Sequence, residues 1–108
     1  MSKRFHVVYS PEALDDLRSI YSYIAVQLKA RDTAKKLVDR IRAEIRSLNE
    51  MPERYALVDW EPWSSKGIHR LPIGNYVVFY LVEQESQRVG IVRIFYGGRD
   101  IQSIAEEL

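Results

Sequence analysis

The sequence predicts an α+β fold: an N-terminal strand, an antiparallel helix hairpin, and a small antiparallel sheet that the hairpin covers on one face. Three observations carry this expectation. Two apolar stripes at helical spacing follow each other between Pro11 and Leu48, three strand-like runs fill the C-terminal half, and a β-branched and aromatic run, Phe5 to Tyr9, precedes them all. Spacings of three and four line one side of a helix, whereas β-branched and aromatic runs suit a pleated sheet. At 108 residues the chain has room for a single domain, 1–108, with a modest core.

After the first strand, Ser10 can cap an orphan amide, Pro11 suits the first helical position, and Glu12, Asp15 and Asp16 complement the positive end of the dipole. The stripe Leu14, Leu17, Tyr21, Ile24 and Leu28 predicts a first helix ending near Lys29 or Ala30. Asp32 or Thr33 is expected to cap a second helix with the stripe Ala34, Leu37, Val38, Ile41, Ile45 and Leu48. A link of about two residues forces the two helices into a tight hairpin. Pro52 disfavours helical geometry at Met51 and stops the second helix there.

From Pro52 to Lys66 the run PERYALVDWEPWSSK has no clean period and reads as an ordered loop, with Trp60 and Trp63 packing over the core. Strands are expected at Gly67 to Leu71, Tyr76 to Glu83 and Arg88 to Tyr96, the last two joined by a polar turn at Glu85-Ser86-Gln87. YVVFYLV is nearly all apolar, which marks an interior strand. The hairpin can cover only one face of the sheet, so the other face is expected to be open and available for function.

Composition narrows the chemistry. The absence of cysteine removes disulfides, thiolate metal sites and thiol nucleophiles together. No apolar run approaches the roughly 20 residues of a membrane span, and no signal-peptide pattern precedes the first strand, so a cytoplasmic protein without membrane association is expected. With only His6 and His69, neither a histidine metal site nor a serine-histidine arrangement has material to build on, and no metal or cofactor is expected. Charge is uneven: Lys29, Arg31, Lys35, Lys36, Arg40, Arg42 and Arg46 make the second helix basic, and the tail after Arg99 is acidic. A basic helix reads first as a solvated face and second as a docking face for an acidic partner or nucleic acid.

Metal-free RNA cleavage is the catalytic option left open. It needs a base, an acid and cations that stabilise charge on the phosphorane. Strand alternation places Val89, Ile91, Arg93 and Phe95 on the open face and Val92, Ile94 and Tyr96 under the helices, with Arg99 just past the strand end. Arg93 reads equally as an arginine paired to a carboxylate, Arg99-Asp100 as a capped turn, and Tyr96 as a core tyrosine whose hydroxyl reaches the edge. In the neighbouring strand either Val77, Phe79 and Leu81 or Tyr76, Val78 and Tyr80 share the open side, and the first set would give it a hydrophobic floor without a second base.

YSPEALDDLRSIYSYIA, HRLPIGNYVVFYLVE and VGIVRIFYGGRDI together resemble the RelE/ParE superfamily of type II toxins over nearly the whole chain. The resemblance implies a RelE/ParE-like, microbial RNase-like fold and one of two activities. RelE-like members are ribosome-dependent mRNA endonucleases; ParE-like members inhibit DNA gyrase. In the RelE pattern an arginine follows the central-strand tyrosine, and here Val77 follows Tyr76, which removes one expected cation. The ParE pattern of a last strand ending in glycine, arginine and aspartate matches Arg93, Gly97, Arg99 and Asp100, with Tyr96 where histidine is usual. The resemblance therefore implies gyrase inhibition first, mRNA cleavage second, and a non-toxic interaction module third. Arg93, Tyr96, Arg99 and Asp100 are the expected target-binding residues; Arg99, Tyr96, Arg93 and Arg70, supported by Lys66 and His69, are the catalytic set if the nuclease reading holds. A cognate antitoxin is implied, meeting Lys35, Lys36, Arg40, Val77, Phe79 and Leu81 in a heterotetramer or larger complex.

Overall fold

The computed structural model describes residues 4–97. Strand β1 (His6–Tyr9) leads into α1 (Pro11–Ser22), which runs on through a π-helical turn, Tyr23–Gln27; α2 (Arg31–Arg46) returns antiparallel, and β2 (Ile68–Ile73), β3 (Tyr76–Glu83) and β4 (Arg88–Tyr96) follow. The sheet order is β1-β4-β3-β2. The β2-β3-β4 meander is antiparallel, but β1 joins β4 in parallel, making the sheet mixed. The chain joining this parallel pair runs through the helix hairpin, β2 and β3, which gives the long connection such a pair requires.

Ser10 caps α1 as the sequence indicates, its Oγ accepting the Ala13 N–H at 3.0 Å. The buried face of α1 is rotated from the expected stripe. Ala13, Leu17, Ile24 and Ala25 are buried and Ile20 packs beside them, whereas Tyr21 and Leu28 are exposed. Ala13, with no exposed surface, lets the helix approach the sheet closely, and the π-helical turn shifts the last residues outward. Neither Asp32 nor Thr33 caps α2: the helix starts at Arg31 with Ala30 at its cap, which puts Asp32 in the first turn against the positive dipole end. Along α2, Ala34, Ile41 and Ile45 are buried with Leu48 just beyond, and Leu37 and Val38 pack against them, as their spacing predicts. Met51 adopts φ 46° and closes the helical segment before Pro52.

The face opposite the helices is not open. Residues 56–58 run along the outer edge of β2, with Val58 N–H donating to Ile68 O (2.8 Å) and Arg70 N–H to Ala56 O (2.9 Å). The chain then folds Trp63 over the sheet, where it stacks on Trp60 (5.3 Å between centroids) and meets Phe79 edge-on (4.8 Å). Val58, Trp63, Ile68, Val77, Phe79 and Phe95 form a second core. Val77 and Phe79 are buried there and Leu81 is half-buried, so the three make no free hydrophobic floor. The two tryptophans pack, as expected, but they do so over the face that alternation alone leaves bare.

Alternation in β4 also breaks. Phe79 pairs with Arg93 and Tyr80 with Ile91, so Val92 is an extra residue in a β-bulge. Val89 and Ile91 consequently face the helices, and Val92 faces the tryptophan side; Ile94 remains under the helices and Phe95 on the tryptophan side.

Tyr80, fully buried between the sheet and the helices, donates its hydroxyl to Pro52 O at 2.6 Å and stacks on His69. Burial raises its pKa strongly above the ordinary 10.0, with Arg54 opposing. The unfolded chain therefore releases this proton first. The stabilisation is complete below pH 10 and is lost as pH rises beyond it. Tyr80→Phe is expected to cost about 1 kcal/mol at neutral pH through the lost hydrogen bond, and to give a shallower decline of urea midpoint above pH 10. Parallel pH profiles for the two proteins would refute the assignment.

Candidate functional site

Beyond Tyr9, β1 no longer covers β4, and the first turns of α1 take its place. Ser10 N–H donates to Ile91 O (2.9 Å), Ser10 Oγ donates to Val92 O (2.8 Å), and Asp16 Oδ2 accepts the Ile94 N–H (2.9 Å). These bonds satisfy edge groups that would otherwise be unpaired. Asp16 also holds Arg93 in a bidentate pair, Nε to Oδ2 at 2.8 Å and Nη2 to Oδ1 at 3.0 Å. The side chains retain only 18% and 13% of their exposure. The pair with Asp16 holds the guanidinium above its already high ordinary pKa, against a smaller opposing effect of burial. Arg93 Cζ lies 4.4 Å from the Phe95 ring centroid, on the tryptophan side of the sheet. The carboxylate-paired reading of Arg93 is the one observed.

On the helix side, the end of the sheet borders a groove of about 620 Å3 lined by Asp16, Ser19, Ile20, Tyr23, Tyr76, Ile94 and Tyr96. Tyr96 is 50% exposed, so it stands at the rim rather than in the core. It meets Tyr76 edge to face with centroids 5.7 Å apart. Burial raises the pKa of Tyr76, and the neighbouring phenols of Tyr96 and Tyr23 add to the effect. Gly97 N–H donates to Asn75 O at 2.7 Å, and a Cβ at Gly97 would lie 3.2 Å from that oxygen, which explains glycine where the strand end crosses the β2-β3 turn.

The four residues of the nuclease set do not form a described cluster. Arg70 is exposed on β2, on the face opposite Leu71, while Tyr96 belongs to the helix side. Arg99 and Asp100 lie outside the described residues. His69 is buried, with Nδ1 2.8 Å from Tyr55 O, and Lys66 is exposed in the loop. Lys35, Lys36 and Arg40 are exposed along α2, Lys35 reaching Asp39 at 3.5 Å. Asp16 and Tyr23 escape sequence reasoning as site residues. Asp16 reads as a dipole-complementing acid, and its partner Arg93 is 77 residues away with no local signal linking them.

The family model of the ParE toxin of type II toxin-antitoxin systems, parDE, matches residues 7–101. The chain belongs to the ParE toxin family. No curated protein sequence matches this ParE-family chain. Its fold is shared with solved structures at low identity. The chromosomal ParDE toxin-antitoxin system from P. aeruginosa matches with TM-score 0.71 and 22% identity, over 88% of this chain and 98% of the other. The free E. coli toxin RelE, as a mutant, gives 0.65 and 13% over 97% and 99%. The RelBE2 toxin-antitoxin complex from Mycobacterium tuberculosis gives 0.59 and 17% over 86% and 91%. Two helices packed on a four-stranded mixed sheet are thus the frame of this ParE-family toxin, and among its described residues no helix is long and apolar enough to cross a membrane.

Proposed function

We propose that this toxin acts in the cytoplasm by binding DNA gyrase through the end of β4 and the tyrosine groove beside it, and that a cognate antitoxin neutralises it. The observation that carries the target reading is the commitment of Arg93 to Asp16. Metal-free RNA cleavage needs cations free to meet a phosphate whose charge is growing. Arg93 is instead neutralised, Val77 is 7% exposed at the position following Tyr76, and the groove's described lining is aromatic, aliphatic and acidic. Such a surface suits a protein partner better than a phosphodiester. Arg99 and Asp100, next along the chain, are assigned to the same docking surface.

The antitoxin reading draws on the M. tuberculosis structure, which is of a toxin-antitoxin complex. Exposed Lys35, Lys36 and Arg40 offer a basic strip on α2 to antitoxin carboxylates. Val77 and Phe79 can join that interface only if the tryptophan loop lifts, whereas Leu81 also lines a shallow groove with Val8, Gly90 and Val92.

The purified toxin is expected to inhibit gyrase supercoiling of relaxed plasmid, with inhibition relieved by co-expressed antitoxin and reduced at least about tenfold by Tyr96→Ala, as for a central interface aromatic. Transcript mapping after induction should find messages intact. Cuts at fixed codon positions in translated messages would overturn the gyrase reading in favour of a ribosome-dependent nuclease. Harmless overexpression of folded protein would overturn both.

A further inference from the structure

The groove at the end of the sheet is lined by three tyrosines, Tyr23, Tyr76 and Tyr96. Tyr76 and Tyr96 stand at 69° to each other and form two walls. Tyr23, on the π-helical turn, brings a third ring to the same lining. Tyr23 is 56% exposed, so much of its surface remains available to a partner. Ile20 and Ile94 supply apolar lining, and Ser19 and Asp16 complete it. No lysine or arginine lines the groove among the described residues.

Aromatic faces carry the negative part of the ring quadrupole and attract cations. Asp16 adds hydrogen-bond acceptors. Its Oδ2 accepts two hydrogen bonds, from Arg93 and from Ile94, while Oδ1 accepts one, from Arg93 Nη2. A carboxylate offers about four acceptor positions, so Oδ1 retains capacity for another donor. The compensating guanidinium is bonded to this same carboxylate and rests over the Phe95 ring. The groove therefore presents three electron-rich rings and one spare acceptor position on an ion-paired carboxylate.

We propose that Tyr23, Tyr76 and Tyr96 form an aromatic cage for a cationic side chain, an arginine presented by the protein partner. A planar guanidinium fits better than a lysine ammonium: it stacks on a phenol ring while its fixed donors reach Asp16 Oδ1 and the Ser19 hydroxyl. The inference deepens the proposal that the strand end docks a protein, and it rests on that reading for the identity of the arginine's owner.

The test uses the full chain and two small probes, N-acetyl-arginine methylamide and its uncharged analogue N-acetyl-citrulline methylamide, followed by ring NMR resonances. The arginine probe is expected to give saturable shifts of Tyr23, Tyr76 and Tyr96, with citrulline binding at least about threefold weaker. Tyr23→Leu, which changes an exposed side chain, and Tyr96→Leu should each weaken arginine binding about threefold. Equal affinity for both probes, shifts confined to other residues, or no saturable shift at all would overturn the cage. Gyrase inhibition without probe binding would sink the cage and leave the docking reading intact; probe binding without gyrase inhibition would leave the cage and remove the proposed target.

Discussion

Trp63→Ala is expected to destabilise the fold by about 3 to 5 kcal/mol, a large share of the total stability of an ordinary small domain. Trp63 is 3% exposed and belongs to the second core with Val77, Phe79 and Phe95. Its ring meets Phe79 edge-on at 4.8 Å and Trp60 in a stack at 5.3 Å, and its removal opens a void over Val77, Phe79 and Phe95. The surrounding segment cannot simply collapse into that void. It is tied down by the Val58 and Arg70 amide bonds along β2 and by the Ile68 N–H donating to Trp63 O at 3.2 Å. Trp60→Ala should cost less, because Trp60 is half-buried and lies outside Trp63. Urea unfolding followed by far-UV circular dichroism measures both losses. The variant should also bind a dye specific for exposed apolar surface, since one face of the sheet would lose its cover. A loss below about 1 kcal/mol would mean that the loop merely rests on the sheet, contrary to the cavity cost expected of a core aromatic.

That loop marks the limit of what local pattern conveys. The strands, the two helices and the breaks between them are legible because each is written in consecutive residues: Ser10-Pro11 starts α1, Pro52 follows the end of the second helical segment, and YVVFYLV announces the central strand. Cover over the second face is not legible, because Trp60 and Trp63 sit in a segment without period and act through Phe79 and Phe95, which are distant in sequence. The β4 bulge is hidden for a related reason. VGIVRIFY reads as strict alternation, and only the pairing of Tyr80 with Ile91 and Phe79 with Arg93 reveals the inserted Val92. One misplaced residue moved Val89, Ile91 and Val92 to the wrong faces while leaving Arg93 and Phe95 together. The candidate site was legible in part: Tyr96 and Arg93 stand at the strand end, but the acid that occupies Arg93 and the ring of Tyr23 come from α1 and its extension, which only the tertiary fold brings near.

Asp16→Ala is expected to cost about 3 kcal/mol, the range for removing one partner of a largely desolvated ion pair. Three donors lose their acceptor at once: Arg93 Nε, Arg93 Nη2 and the Ile94 N–H. With 18% of its side chain exposed, Arg93 has little access to water as a replacement partner. Arg93→Ala should cost less, since Asp16 keeps the Ile94 N–H. Removing both side chains should cost less than the sum of the single losses by about 1 to 3 kcal/mol, the usual coupling of residues in one network. Asp16→Asn separates charge from shape: an amide oxygen can still accept one donor, but its amino group faces the guanidinium, so an intermediate loss is expected. Function should respond beyond the stability change. Ile94 and Tyr96 lie on the same side of β4, and the Asp16 bond fixes the strand edge between the bulge and Tyr96. At temperatures where Asp16→Asn remains folded, its tyrosine groove should bind arginine more weakly and its gyrase inhibition should fall. Full inhibition by this folded variant would show that Asp16 stabilises the strand without setting the site, and strict additivity of the Asp16 and Arg93 losses would show that the pair is not coupled.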